Sequence, residues 1–146
     1  ALFAASLVGE QGRVIALDTL EPSISRLCEI VRQDGVTNLV GQICDITAPI
    51  PLAAHSVDLI LLSTVLHIKA VQDHAKEMFS EFRGILRTDG TLAVLECQKA
   101  EANFGPPLHL RLSAEDVAEL AAPCGFVRSS VTSFEHTYLA CFTPGP

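Results

Sequence analysis

Four short apolar runs, each closed by an acid or a hydroxyl residue, with helical periodicity after the first and after the third and a proline-punctuated loop after the second, restrict this chain to an α/β layout. They cover residues 13–17, 39–44, 56–63 and 91–96, and Asp18, Asp45, Ser63 and Glu96 stand at or just past their ends. The run at 56–63 is almost uniformly apolar, which predicts a parallel strand covered on both faces. Residues 1–8 read as the end of a helix stopped by Gly9, and Gly12 turns the chain into the first strand. Pro22 and Ser23 open a helix with Ile24, Leu27, Ile30 and Val31 at helical spacing, ending at Gly35. Asp73 is placed to cap a helix over 73–87 with a buried stripe of Ala75, Met78, Phe79, Phe82, Ile85 and Leu86. Thr88-Asp89-Gly90 predicts a tight turn, and Ser113-Ala114-Glu115-Asp116 a capping box opening a helix to about 122. Two last strands, 127–134 and 136–143, have only Glu135 between them and must be antiparallel. The expectation is one domain, 1–146: a three-layer α/β sandwich, its sheet mostly parallel and closed by an antiparallel hairpin.

In open α/β sheets, ligands bind beyond the carboxyl ends of the strands. A carboxylate at that position, such as Asp18, can accept hydrogen bonds from both hydroxyls of a ribose. The plainer role for Asp18 is a turn residue before Pro22, and for Asp45 a turn into Thr47. No glycine-rich loop precedes either acid. Gly9 and Gly12 do not make the Gly-x-Gly-x-x-Gly turn that seats a pyrophosphate on a helix N-terminus, which argues against a nicotinamide oxidoreductase. The closing hairpin argues against it too.

Composition excludes several other classes. The net charge is −7 and the ten basic residues are scattered, so no nucleic-acid partner is expected. Five cysteines without Cys-x-x-Cys spacing suggest neither zinc nor a disulfide framework, and point to a reducing, cytoplasmic setting. His74, His109 and His136 show no metal-ligand spacing, so no metal site is expected. The longest apolar run, 57–66, is too short to cross a bilayer and the opening residues lack the basic flank of a signal peptide, so no membrane association is expected. The chain opens on Ala1 and reads as a fragment.

Taken in order, Asp18, then Asp45-Ile46, then Ser56-Val57-Asp58-Leu59-Ile60-Leu61 running to Val65-Leu66-His67 resembles a class I S-adenosylmethionine-dependent methyltransferase. The stretch Phe82–Leu92 is similar to that family's basic, glycine-containing turn before its fifth strand, with Thr88 and Asp89 in place of the usual Pro and first Gly. Cys124-Gly125-Phe126 matches the turn before the sixth strand. Gly105-Pro106-Pro107-Leu108 with Arg111-Leu112-Ser113 resembles a small-molecule subgroup near the ubiquinone and menaquinone methyltransferases.

The resemblance implies a Rossmann-like fold, S-adenosylmethionine as cofactor and a small-molecule methyl acceptor. It makes Asp18 the ribose anchor, puts Thr19 and Leu20 beside the adenine, and gives Asp45 the adenine amino group with Ile46 packed on the ring. Ser63 and Thr64 would touch the cofactor and His67 would sit near the transferred methyl group. Apart from the resemblance, Glu96 ends its strand where it could face an acceptor, and a buried Glu there would need a partner, for which Lys99 is a candidate. The family's first strand and glycine loop have no counterpart here. Two readings therefore stand: a methyltransferase whose opening strand lies outside these residues, or a truncated, non-catalytic methyltransferase-like module that binds or oligomerises. Either strand 13–17 closes directly on 57–63, or the exposed sheet edges build a homodimer.

Overall fold

A computed structural model describes residues 1–146, which cluster into two compact units, 1–50 and 51–146, where the sequence pattern reads as one domain. The first unit holds α1 (Leu2–Val8), β1 (Val14–Asp18), α2 (Glu21–Gln33) and β2 (Leu39–Ile43). β1 and β2 pair in parallel, from Val14 opposite Leu39 to Asp18 opposite Ile43. Pro22 falls in the first turn of α2, where a missing N–H costs nothing. Gly41 lets α2 come close to β2: a Cβ there would lie 3.3 Å from the Cys28 sulfur and 3.4 Å from Ile24. The end of α1 is sealed by Asn38, whose side-chain amide donates to the carbonyls of Ala5 and Gly9, both at 2.8 Å.

The second unit holds β3 (Val57–Ser63), α3 (Lys69–Asp73), α4 (Ala75–Ile85), β4 (Leu86–Cys97), α5 (Ala114–Ala121), β5 (Phe126–Ser133) and β6 (Thr137–Pro144). Its sheet runs β3-β4-β6-β5, parallel between β3 and β4 and antiparallel in the other two pairings. The final hairpin turns through 134–136, tied by the Phe134 N–H to the Thr137 carbonyl at 2.8 Å. The core forms where the stripe of α4 meets the sheet. Met78, Phe79 and Phe82 are buried there with Leu92, Val94, Ala140 and Phe142, and Val117 and Ala121 of α5 join them. The Phe79 ring stands edge-on to Phe82 at 6.2 Å and to Phe126 at 6.3 Å.

Several expectations are corrected. The helix expected from an Asp73 cap is two helices broken at His74, and Asp73 pairs back to Lys69 in α3 instead. Thr88-Asp89-Gly90 lies inside the long β4; the register still slips there, Val57 pairing with Leu86 and Leu59 with Thr91. A Cβ on Gly90 would fall 2.8 Å from the Leu86 side chain, so only glycine fits that slip. β3 is not covered on both faces: Leu62 is buried, but Leu59 is 57% and Leu61 56% exposed. The strands form two sheets, so strand 13–17 does not pair with 57–63; β1 bonds β2, and β3 bonds β4.

The capping box at α5 forms as expected. Ser113 Oγ accepts from the Asp116 N–H at 3.1 Å and Asp116 Oδ2 accepts from the Ser113 N–H at 2.7 Å. Lys99 Nζ also donates to Asp116 at 2.6 Å, and these bonds, Lys99 first, hold the carboxyl below its usual range. A depressed folded-state pKa contributes stability above the unfolded value, about 4, and that stability is lost as pH falls through the folded value. Asp116→Asn is therefore expected to be less stable than the parent near neutral pH, with the gap in urea midpoint narrowing below about pH 4. Phe79→Ala should cost about 3–5 kcal/mol in the same assay, because it empties the centre of the aromatic cluster.

Candidate active site

The parallel register of β1 and β2 brings two acids to the same end of the first unit. Asp18 lies opposite Ile43, and its carbonyl accepts from the Cys44 N–H at 3.0 Å, so Asp45 follows one residue beyond. Asp18 is exposed. Its Oδ1 accepts from the Leu20 N–H at 2.9 Å, forming the turn, while Oδ2 takes no hydrogen bond from the protein. Thr19 and Leu20 are exposed beside it, Leu20 by 61%. Asp45 Oδ1 accepts from the Thr47 N–H at 2.9 Å and from Thr47 Oγ1 at 2.7 Å, so this carboxylate makes the turn its sequence suggests. Ile46 is half-buried. Burial and the neighbouring Asp45 push the Cys44 thiol up.

In the second unit the ends of β3 and β4 converge on Glu96. Ser63 pairs with Leu95, and Thr64 turns out of the strand at φ 52°, its N–H donating to the Leu95 carbonyl at 2.8 Å. A β-branched residue in the left-handed region is strained, by about 1–3 kcal/mol. The kink sends Leu66 and His67 back over the end of β4. Glu96 is 1% exposed; its Oε1 accepts from the Leu66 N–H at 2.7 Å, and Oε2 from the Cys97 N–H at 3.2 Å. His67 Nδ1 lies 3.2 Å from the same Oε2, with 23% of the side chain exposed. The expected Glu96–Lys99 pair is not made. Lys99 sits past the end of β4 and is taken by Asp116, while Glu96 is turned toward the kinked segment. Ser63 and Thr64 are exposed at the strand end.

Two further residues build this end of the sheet. Arg111, 4% exposed, donates Nε to the Pro106 carbonyl at 2.8 Å, Nη1 to the carbonyls of Gln98 at 3.1 Å and Ala100 at 2.9 Å, and Nη2 to that of Phe104. One buried guanidinium thus ties the 98–106 segment, a role only its position before the capping box could have hinted at. Tyr138 pairs with Glu96 across β4 and β6 and donates its hydroxyl to the Leu112 carbonyl at 2.9 Å. Burial, and then the Glu96 charge, push its phenol well above the ordinary value.

The order of strands and helices, the mixed pairing and the strand-end acids are those of a Rossmann-like methyltransferase fold. The family model described as a methyltransferase domain matches residues 1–136, and the chain belongs to that family. No curated protein matches it by sequence. Among solved structures, a SAM-dependent methyltransferase from Aquifex aeolicus superposes with a TM-score of 0.87 at 22% identity, over 98% of this chain and 74% of that one. A type 11 methyltransferase from Sulfolobus solfataricus, so described provisionally, gives 0.76 at 18% identity, over 99% and 78%. The Burkholderia thailandensis 1,6-didemethyltoxoflavin-N1-methyltransferase, solved with 1,6-didemethyltoxoflavin and S-adenosylhomocysteine, gives 0.74 at 15% identity, over 98% and 66%.

Tyr138 is the single tyrosine and the chain has no tryptophan, so tyrosinate absorbance reads this one phenol. Its raised pKa keeps the proton in the folded state after an unfolded chain would release it near pH 10, so stability is lost as pH rises from there. The tyrosinate signal should appear only together with loss of circular dichroism. Tyr138→Phe should lack that alkaline component of destabilisation.

Proposed function

We propose that this chain transfers a methyl group from S-adenosylmethionine to a small-molecule acceptor. The observation that carries the reading is Asp18: an exposed carboxylate at the carboxyl end of a parallel strand, oriented by the Leu20 N–H through one oxygen with the other unused, in a chain of the methyltransferase-domain family. That free oxygen fits a ribose hydroxyl pair, and the exposed Leu20 and half-buried Ile46 offer apolar surface for an adenine, with Thr19 beside them. Thr47 orients Asp45, which in this reading meets the adenine amino group. In the second unit, Ser63 and Thr64 offer hydroxyls and backbone at the end of β3.

When bound, the cofactor supplies a methyl group made electrophilic by its sulfonium sulfur. What remains for the protein is alignment of the acceptor, which can supply most of the acceleration, and removal of a proton where the acceptor carries one. His67 is the residue we assign to the proton. Five free thiols support a reducing, cytoplasmic setting. The exposed Leu59 and Leu61 on the edge strand β3 support pairing of two copies.

Calorimetric titration with S-adenosylhomocysteine tests the reading. Saturable binding is expected for the parent, weakened roughly tenfold to a hundredfold in Asp18→Ala, the worth of hydrogen bonds to a charged group. Absence of binding to the parent would overturn the proposal.

A further inference from the structure

The phenylalanines of the second unit divide sharply by burial. Phe79, Phe82, Phe126 and Phe142 lie in the core, at most 3% exposed, while Phe104 is 46% and Phe134 51% exposed. Both outliers stand at the carboxyl end of β4. Cys97 pairs with Thr137, and the Phe134 N–H closes the hairpin on the Thr137 carbonyl, so Phe134 flanks the turn just past that strand end. Gly105 lies over the same place, since a Cβ on it would fall 3.6 Å from the Cys97 sulfur. Its neighbour Phe104 meets the turn residue His136 edge to face, with ring centroids 4.8 Å apart.

The backbone under these rings is pinned from within. The Gln98 N–H donates to the His136 carbonyl at 2.9 Å, and its side-chain amide donates to the carbonyls of Phe134 at 3.2 Å and Thr137 at 3.1 Å. Arg111 holds the carbonyl of Phe104 itself. Rings fixed out in water gain little from the hydrophobic effect until something covers them, and clustered apolar surface of this kind marks a ligand site. Its place in the fold and its charge select the occupant. Small ligands of α/β sheets bind beyond strand carboxyl ends, and Gln98 is only two residues, about 7 Å of strand, past Glu96. Edge-to-face rings leave faces and edges for a third ring, which pairs with them in the same geometries. Of the nearby charged side chains, Lys99 is drawn to Asp116 and Arg111 is buried, which leaves the exposed acids Glu101 and Glu135 to set a field that repels anions. We infer that Phe104, Phe134 and His136 form a subsite for a neutral, planar aromatic ring, and that the methyl acceptor is a molecule carrying one. The acceptor role rests on the methyl-transfer reading; the ring subsite does not.

Titration of the whole protein with 2-naphthol, its saturated counterpart decahydro-2-naphthol and 2-naphthoate, followed by the chemical shifts of the His136 imidazole protons, tests the subsite. Near neutral pH, 2-naphthol should bind saturably, roughly twofold to tenfold more tightly than the saturated alcohol, and 2-naphthoate more weakly than 2-naphthol. Phe104→Leu keeps apolar bulk at an exposed position but removes the ring, so 2-naphthol should fall to the level of the saturated alcohol. Joint replacement Glu101→Gln and Glu135→Gln touches no ring and should bring 2-naphthoate closer to 2-naphthol. Equal binding of 2-naphthol and the saturated alcohol by the parent, a preference that survives Phe104→Leu, or tightest binding of 2-naphthoate would overturn the inference. Calorimetry with S-adenosylhomocysteine on the same protein keeps the two readings apart. Binding of S-adenosylhomocysteine without 2-naphthol refutes the subsite alone, whereas ring-selective binding of 2-naphthol without S-adenosylhomocysteine upholds the subsite and refutes methyl transfer.

Discussion

A carboxylate taken out of water must find donors, and the second unit is organised around how Glu96 finds three. Two are backbone amides, and they come from different places: Cys97 continues its own strand, while Leu66 belongs to the segment leaving β3. For Leu66 to arrive, β3 must pair with β4 in the observed register and the chain must bend sharply after Ser63. Thr64 accepts a strained φ to make that bend, and its own N–H is kept satisfied by the Leu95 carbonyl. Strain of this kind persists only where surrounding bonds over-determine it. Here the two hydrogen bonds that flank Thr64, from its own N–H and from that of Leu66, do so.

The loop beyond β4 is governed by the mirror-image problem. Arg111 buries a positive charge with no carboxylate beside it and satisfies it with four carbonyls from 98 to 106. Those carbonyls belong to a stretch with no helix or strand to use them, so guanidinium and loop solve each other's deficit. Lysine could not replace it, since a single ammonium has three donors and no planar fork. The loop is thereby held from one interior point while Lys99 is drawn off to Asp116. Glu96 and Arg111, although both buried and opposite in charge, are each neutralised by backbone dipoles or a histidine, so neither depends on the other.

What could be read from the sequence divides along range. The α5 capping box is a four-residue pattern and formed as written, and so did the hairpin, because two apolar runs with so little between them have one geometry. The strand-end positions of Asp18 and Asp45 were legible for the same reason. The helix expected over 73–87 was not, because the apolar periodicity continues across His74, where the backbone leaves the helix at φ −110°, ψ 16°. Lys99 looked like the partner of Glu96 because it is three residues away. The true partner is twenty-nine residues away, and only the β3–β4 register brings it there. Arg111 stood out only within the run Arg111-Leu112-Ser113, and nothing local named its partners, since they are carbonyls, which every residue has.

The two strand-end acids of the first unit and the one of the second also differ in kind, and the difference is physical. Asp18 and Asp45 are exposed, each folded back on a nearby N–H in a turn, a state in which a carboxylate stays hydrated and can exchange water for a ligand hydroxyl at little cost. Glu96 has already lost its water and committed its acceptor sites to the protein. Burial therefore divides these carboxylates by state: the exposed pair stays hydrated, and the buried one has spent its acceptor sites on the Leu66 and Cys97 N–H groups and the His67 ring.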